Sequence, residues 1–197
     1  MSLQYKFSTV FITSLFLFFA SCVMNQDVEK NQFRLMPSVS EKKFKQGYYN
    51  QKIEKIRFAY SPTGDSLPLL YGLTQNIKII DNPEEAQIEF AILSDEKFIP
   101  ESYSLEIKEE KIIINAIDSA GLLYGFISLN QLMEDAKAQE LMLPKVEIFD
   151  APKIAFRPIQ IDVKHHLEKK SYYYSLIDEL AQLKINGIIL EIEDKLK

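Results

Sequence analysis

The sequence predicts an α+β fold in two unequal parts: a sheet of antiparallel type with helices on one face, then one strand–helix–strand unit whose strands run parallel. Three stretches carry that expectation. Tyr103–Ile107 and Lys111–Ile117 are two alternating apolar runs separated by Lys108-Glu109-Glu110, the pattern of a hairpin with one buried face. Asp118-Ser119 can cap the helix that follows, in which Leu122, Phe126, Leu129 and Met133 form one stripe with Leu123 and Ile127 beside it. From Ile159 onward an alternating run, a helical run and the continuous apolar run Ile188-Ile189-Leu190 follow in order, which is the repeating piece of a barrel or a doubly wound sheet.

The chain has 197 residues, a net charge of −5 and 47% apolar residues, enough to bury one ordinary core and part of another. Lys and Arg are scattered among carboxylates, so no basic surface for nucleic acid is expected. Cys22 is the single cysteine, which excludes a disulfide framework and a thiolate metal cluster.

Taken in order, residues 1–22 have the form of a secretory signal. Lys6 precedes an apolar run from Phe7 to Ala20 that is too short and wrongly flanked for a spanning helix. Phe19-Ala20-Ser21-Cys22 resembles a bacterial lipobox, with Phe19 where Leu is usual, so Cys22 is the expected lipidation site of an envelope protein at the periplasmic or outer-membrane surface. A cleaved signal with an incidental cysteine is the alternative. Residues 23–50 are polar, mixed in charge and weakly periodic, and are expected to form a tether.

Structure is expected to begin near Ile53. Ile56, Phe58 and Tyr60 alternate as a strand, Ser61-Pro62-Thr63-Gly64-Asp65 supplies a turn, and Leu67–Leu73 fits a short helix. Ile77, Ile79 and Ile80, then Ile88–Leu93, are two more strands leading to the hairpin. Gly121 and Gly125 lie four apart on the long helix, where each costs about 1 kcal/mol against Ala, so a close approach of helix to sheet is the expected compensation. Val146–Ile148 leads to Asp150-Ala151-Pro152, the expected boundary between an accessory domain at 51–150 and a second unit at 151–197. In that unit Ile159, Ile161 and Val163 alternate with Gln160 and Asp162. Ser171 can cap a helix whose stripe is Tyr173, Ile177, Leu180, Ala181 and Lys184, Asn186-Gly187 stops it, and Ile188-Ile189-Leu190 fits a strand buried on both faces.

Several of these pieces together carry a resemblance. Val146–Pro152, Phe156-Arg157, Ile159–Asp162 and Ile185-Asn186 through Asp194 resemble the entry into the catalytic barrel of family-20 glycoside hydrolases, the β-N-acetylhexosaminidases. The ending NGIILEIEDK is most similar to a hexosaminidase D-like branch. SAGLLYGFISLNQL resembles the small domain before that barrel, described as zincin-like in fold, although no His-Glu-x-x-His motif occurs in the sequence.

The resemblance implies an amino-sugar glycan as substrate, no cofactor, and a barrel entered by its first strand, helix and second strand. It implies that Arg157 contacts hydroxyls of the terminal sugar, with a structural ion pair as the alternative, and that Asp194 supports the sugar pocket, with a solvated strand end as the alternative. In the family the substrate's acetamido group attacks its own anomeric carbon, assisted by an Asp-Glu pair after the fourth barrel strand. These 197 residues do not reach that strand, so no catalytic residue is assigned and no hydrolysis is expected of the chain alone. A non-catalytic envelope module that binds glycan or protein is the second reading.

Three other candidates are local. Asp162 ends the first barrel-like strand, where functional groups gather in parallel barrels, or it is a turn former. His165-His166 suggests a metal, but no third ligand is assured and no metal site is assigned. Glu191 and Glu193 share a strand face at about 6–7 Å, yet both lean the same way, unlike the flanking pair of a glycosidase.

Overall fold

A computed structural model describes residues 33–59, 77–163 and 167–192. The expected Leu67–Leu73 helix, Cys22, His165, His166, Glu193 and Asp194 lie outside them. The strands are β1 (Glu41–Tyr48), β2 (Lys55–Phe58), β3 (Lys78–Ile79), β4 (Ile88–Ile92), β5 (Tyr103–Ile107), β6 (Ile112–Ala116), β7 (Pro144–Asp150), β8 (Pro158–Asp162) and β9 (Gly187–Glu191). The helices among the described residues are α1 (Ser119–Ala138) and α2 (Lys170–Gln182).

β1 to β7 form one sheet in the order β1-β7-β5-β6-β4-β2-β3. The hairpin forms as its alternation requires, with Leu105 opposite Ile114 and Ile107 opposite Ile112. An antiparallel sheet holds for only half of the strands. β1, β7, β5 and β6 are antiparallel neighbours, whereas β6, β4, β2 and β3 run parallel, so the sheet is mixed. Side-chain alternation fixes which face a strand buries and carries no information about a neighbour's direction.

The expected tether at 23–50 is also corrected over its described part. Residues 41–48 are the edge strand β1, paired with β7 so that Glu41 meets Phe149 and Phe44 meets Val146. Glu41, Lys43 and Lys45 are the solvent side of an edge strand, and this charge concealed the period-2 pattern. Just before it, Phe33 is 1% exposed and joins the core.

α1 crosses the sheet opposite β4, β5 and β6. Asp118 caps it, its Oδ1 accepting from Gly121 N at 2.7 Å. Leu122, Phe126, Ile127, Leu129 and Leu132 are buried against Ile88, Phe90, Leu105, Ile112 and Ile114, while Met133 of the expected stripe stands at the surface. Both glycines are explained by proximity. A Cβ on Gly121 would run into the Ser102 carbonyl, and one on Gly125 would lie 2.6 Å from Ile114 Cγ2.

β8 and β9 form a separate two-stranded parallel sheet, with Ile159 beside Ile188 and Asp162 beside Glu191. The chain leaves β8, passes through α2 and returns alongside it. Three local expectations are corrected here. α2 starts at Lys170 with Lys169 at its N-cap position and no side-chain cap, so Ser171 lies inside the first turn. The left-handed residue after the helix is Lys184, with φ 58°, rather than Gly187. Gly187 is needed for a different reason, because a Cβ there would strike the ring of Phe156. Ile188, Ile189 and Leu190 are exposed rather than buried on both faces, since only β8 lies next to β9.

Candidate functional site at the junction of the two sheets

Candidate polar groups converge where β7 passes into β8. Three elements of the first sheet contribute: the loop before β5 with Glu101, β5 with Tyr103, and the end of β7 with Asp150. The second unit contributes Arg157 before β8, and Lys184 and Asn186 before β9. Several of them, with Ser38 and Ser40, border a cleft of about 330 Å³.

Arg157 is the organiser. Its Nη2 pairs with Glu101 Oε2 at 2.6 Å and donates to Tyr124 Oη at 3.2 Å. Its Nε donates to Lys184 O at 2.9 Å, and its Nη1 to Ile154 O at 2.8 Å and Ala155 O at 3.3 Å. These acceptors match in number the N–H donors of a guanidinium. A sugar hydroxyl therefore reaches Arg157 only by displacing one of them. The guanidinium also lies over the Tyr124 ring, 5.6 Å from its centroid. Asn186 completes the clasp: its Oδ1 accepts from Arg157 N at 2.8 Å while its Nδ2 donates to Glu101 Oε1 at 2.9 Å and Ala155 O at 2.7 Å.

Lys184 is 5% exposed, a rare state for a lysine. Its Nζ donates to Asp150 Oδ2 at 2.8 Å and to Tyr103 Oη at 2.9 Å, and the Tyr103 hydroxyl shares a 2.6 Å hydrogen bond with Ser128 Oγ. Asp150 is satisfied on its other oxygen by Ser40, from N at 3.0 Å and Oγ at 3.1 Å. Burial lowers the pKa of Lys184, and the Asp150 carboxylate works against that shift. Burial raises Tyr103 and Tyr124 above the usual phenol range, so both are neutral donors at ordinary pH.

Asp162 and Glu191 end β8 and β9 side by side, at the carboxyl edge of this small parallel sheet. Gln160 Nε2 donates to Glu191 Oε2, so Glu191 is tied to the neighbouring strand. Asp194 and Glu193 follow just beyond the described residues. Among the described residues no group of three His, Cys, Asp or Glu side chains could hold a metal. Sequence reasoning found Arg157 and Asp162 but missed Glu101, Tyr103, Tyr124 and Asp150 as partners, and placed Lys184 on an apolar stripe. One legible signal was a lysine where that stripe calls for an apolar residue.

The chain was compared with known proteins. A model for glycosyl hydrolase family 20, domain 2, matches residues 34–151. N,N'-diacetylchitobiase of Vibrio harveyi is 31% identical over 93 residues, which are 47% of this chain and 10% of that protein. Beta-hexosaminidase B of Pseudoalteromonas piscicida is 24% identical over 132 residues, 67% of this chain and 17% of that protein. A crystal structure of β-N-acetylhexosaminidase from Bacteroides fragilis superposes with a TM-score of 0.71 and 25% identity, covering 81% of this chain and 33% of that one. The chain thus spans a third or less of each of these relatives. With the domain-2 model matched across more than half of its residues, this chain belongs to glycosyl hydrolase family 20.

Proposed function

We propose that the chain is the amino-terminal part of a β-N-acetylhexosaminidase, which hydrolyses terminal N-acetylhexosamine residues of a glycan. On this reading the first sheet and α1 are the zincin-like accessory domain, and β8-α2-β9 is the start of an eightfold catalytic barrel. The observation that carries it is the superposition on the Bacteroides fragilis enzyme, whose 81% coverage of this chain exceeds what the domain-2 segment could supply alone. The parallel pairing of β8 with β9 through a crossover helix supports the barrel reading.

The 45 residues from Lys153 onward compare with about 250 in an eightfold barrel. The 197-residue chain by itself therefore binds sugar weakly and does not turn it over. Asp194 is the proposed sugar-pocket support at the end of the second strand, and Arg157 contributes where a hydroxyl exchanges for one of its carbonyl acceptors. The lipobox-like segment ending at Cys22 supports a lipid-anchored location in the bacterial envelope.

Two measurements test the proposal. The purified chain incubated with a chromogenic N-acetyl-β-glucosaminide should release no product; turnover abolished by Glu193→Gln would instead make the chain a complete catalyst. Sequencing the messenger beyond the Lys197 codon should reveal an open frame with further strand–helix repeats. Tight calorimetric binding of amino-sugar oligomers by the isolated chain would favour the non-catalytic binding module.

A further inference from the structure

The directional contacts that cross from the first sheet to the second unit are polar, and the main apolar core holds no residue after Ile148. Two ion pairs dominate the crossing, Glu101–Arg157 and Asp150–Lys184, with side chains 7–22% exposed. The backbone at two of these residues is unusual. Among the described residues three non-glycines have positive φ: Glu101 at 66°, Glu140 at 56° and Lys184 at 58°. Two of the three stand at the junction. A side chain in the left-handed region is disfavoured, and glycine would occupy the same place without penalty.

What glycine lacks is the side chain. Glu101 is held in its turn because its N–H donates to Asp118 Oδ2 at 2.8 Å, while the other Asp118 oxygen caps α1. From there its carboxylate takes Arg157 on one oxygen and Asn186 on the other. Lys184 turns left-handed immediately after α2, and its carbonyl accepts from Arg157 while its ammonium reaches Asp150 and Tyr103. Burying an ammonium–carboxylate pair yields little net stability because both ions give up water, but it penalises every arrangement that leaves either ion unpaired.

We infer that Glu101 and Lys184 are positioning residues whose left-handed backbones aim two charged side chains across the junction, and so fix the orientation of β8-α2-β9 on the first sheet. This role stands apart from the sugar-cleaving reading, and holds whether or not the chain is part of a glycosidase.

Glycine substitution gives a test by sign. If the backbone alone matters, Lys184→Gly and Glu101→Gly relieve strain and leave or raise the protection of the second unit. If the side chains position it, the same changes release it. Hydrogen–deuterium exchange on the full chain should show β8, α2 and β9 amides exchanging about tenfold or more faster in both variants, with β4 and β6 as in the wild type. Glu140→Gly, left-handed but outside the junction, should release nothing. Should the glycine variants lose protection throughout, Asp150→Asn and Glu101→Gln decide, since they keep the backbone and must loosen the second unit alone. The inference is overturned by unchanged or raised second-unit protection in the glycine variants. It is equally overturned by uniform loss in the Asn and Gln variants, or by a wild-type second unit with no protection to lose.

Discussion

Between Phe33 and Ile148 the chain buries Ile56, Ile88, Phe90, Leu105, Ile114, Leu122, Leu129 and Val146 almost completely, and α1 lies close enough to the sheet to require glycine at two positions. From Lys153 onward the same kinds of residue stand at the surface: Ile188, Ile189 and Leu190 are 39%, 46% and 54% exposed, and α2 fully buries only Leu180. Branched apolar runs occur in both parts. What differs is the supply of neighbours. A sheet of seven strands with a helix across it provides apolar partners for every inward side chain, whereas a pair of strands with one helix does not. The second unit is consequently oriented by ions and hydrogen bonds at its base.

That contrast can be broken most strongly through the glycines. Gly121→Ala should cost roughly 3 kcal/mol in urea unfolding, because the new methyl meets the Ser102 carbonyl, which belongs to backbone and cannot swing aside. Gly187→Ala should cost under about 1 kcal/mol, since the opposing Phe156 ring is 60% exposed and free to turn. Equal costs would mean that the second unit is packed as tightly as the first.

A smaller difference is expected from side-chain truncation. Leu122→Ala removes a fully buried side chain from a rigid layer and should cost about 3 kcal/mol. Leu180→Ala sits beside exposed Ile177 and Leu183, where the surroundings can close, and should cost about half as much. Global unfolding followed by tryptic cleavage of each part separates the two losses.

The smallest effect concerns Tyr49, 7% exposed, whose hydroxyl is buried without a hydrogen-bond partner. Tyr49→Phe should stabilise the first unit by about 1 kcal/mol. Burial pushes the Tyr49 phenol up to about 12 from its usual 10.0, so the unfolded chain loses this proton first as pH rises. Stability that Tyr49 supplies below pH 10 is therefore lost between pH 10 and 12, and the Phe variant should show a shallower alkaline decline. Tyr103 and Tyr124 shift in the same direction, so some decline remains.

Much of the molecule was legible from local pattern. The hairpin, α1 with its Asp118 cap and close glycines, and the order β8-α2-β9 follow from spacing and turn chemistry that each segment carries within itself. β1 was not legible, because an edge strand shows water one whole face and Glu41, Lys43 and Lys45 occupy it. The parallel pairing of β2, β4 and β6 was hidden for another reason, since strand direction is decided by distant partners. At the junction, Arg157 was visible by type, but its partner Glu101 lies 56 residues earlier and Lys184 is 81 residues from Tyr103. No local window spans those distances.

The pairing of β1 with β7 has a bearing on synthesis. Glu41 and Phe149 are register partners, so the first strand of the sheet to leave the ribosome waits for about a hundred further residues before its edge is satisfied. During translation β1 is a bare charged ribbon, and its lysines and glutamates keep that ribbon from pairing with other nascent chains. The charge pattern that concealed the strand from inspection thus safeguards it while its partner is still being made.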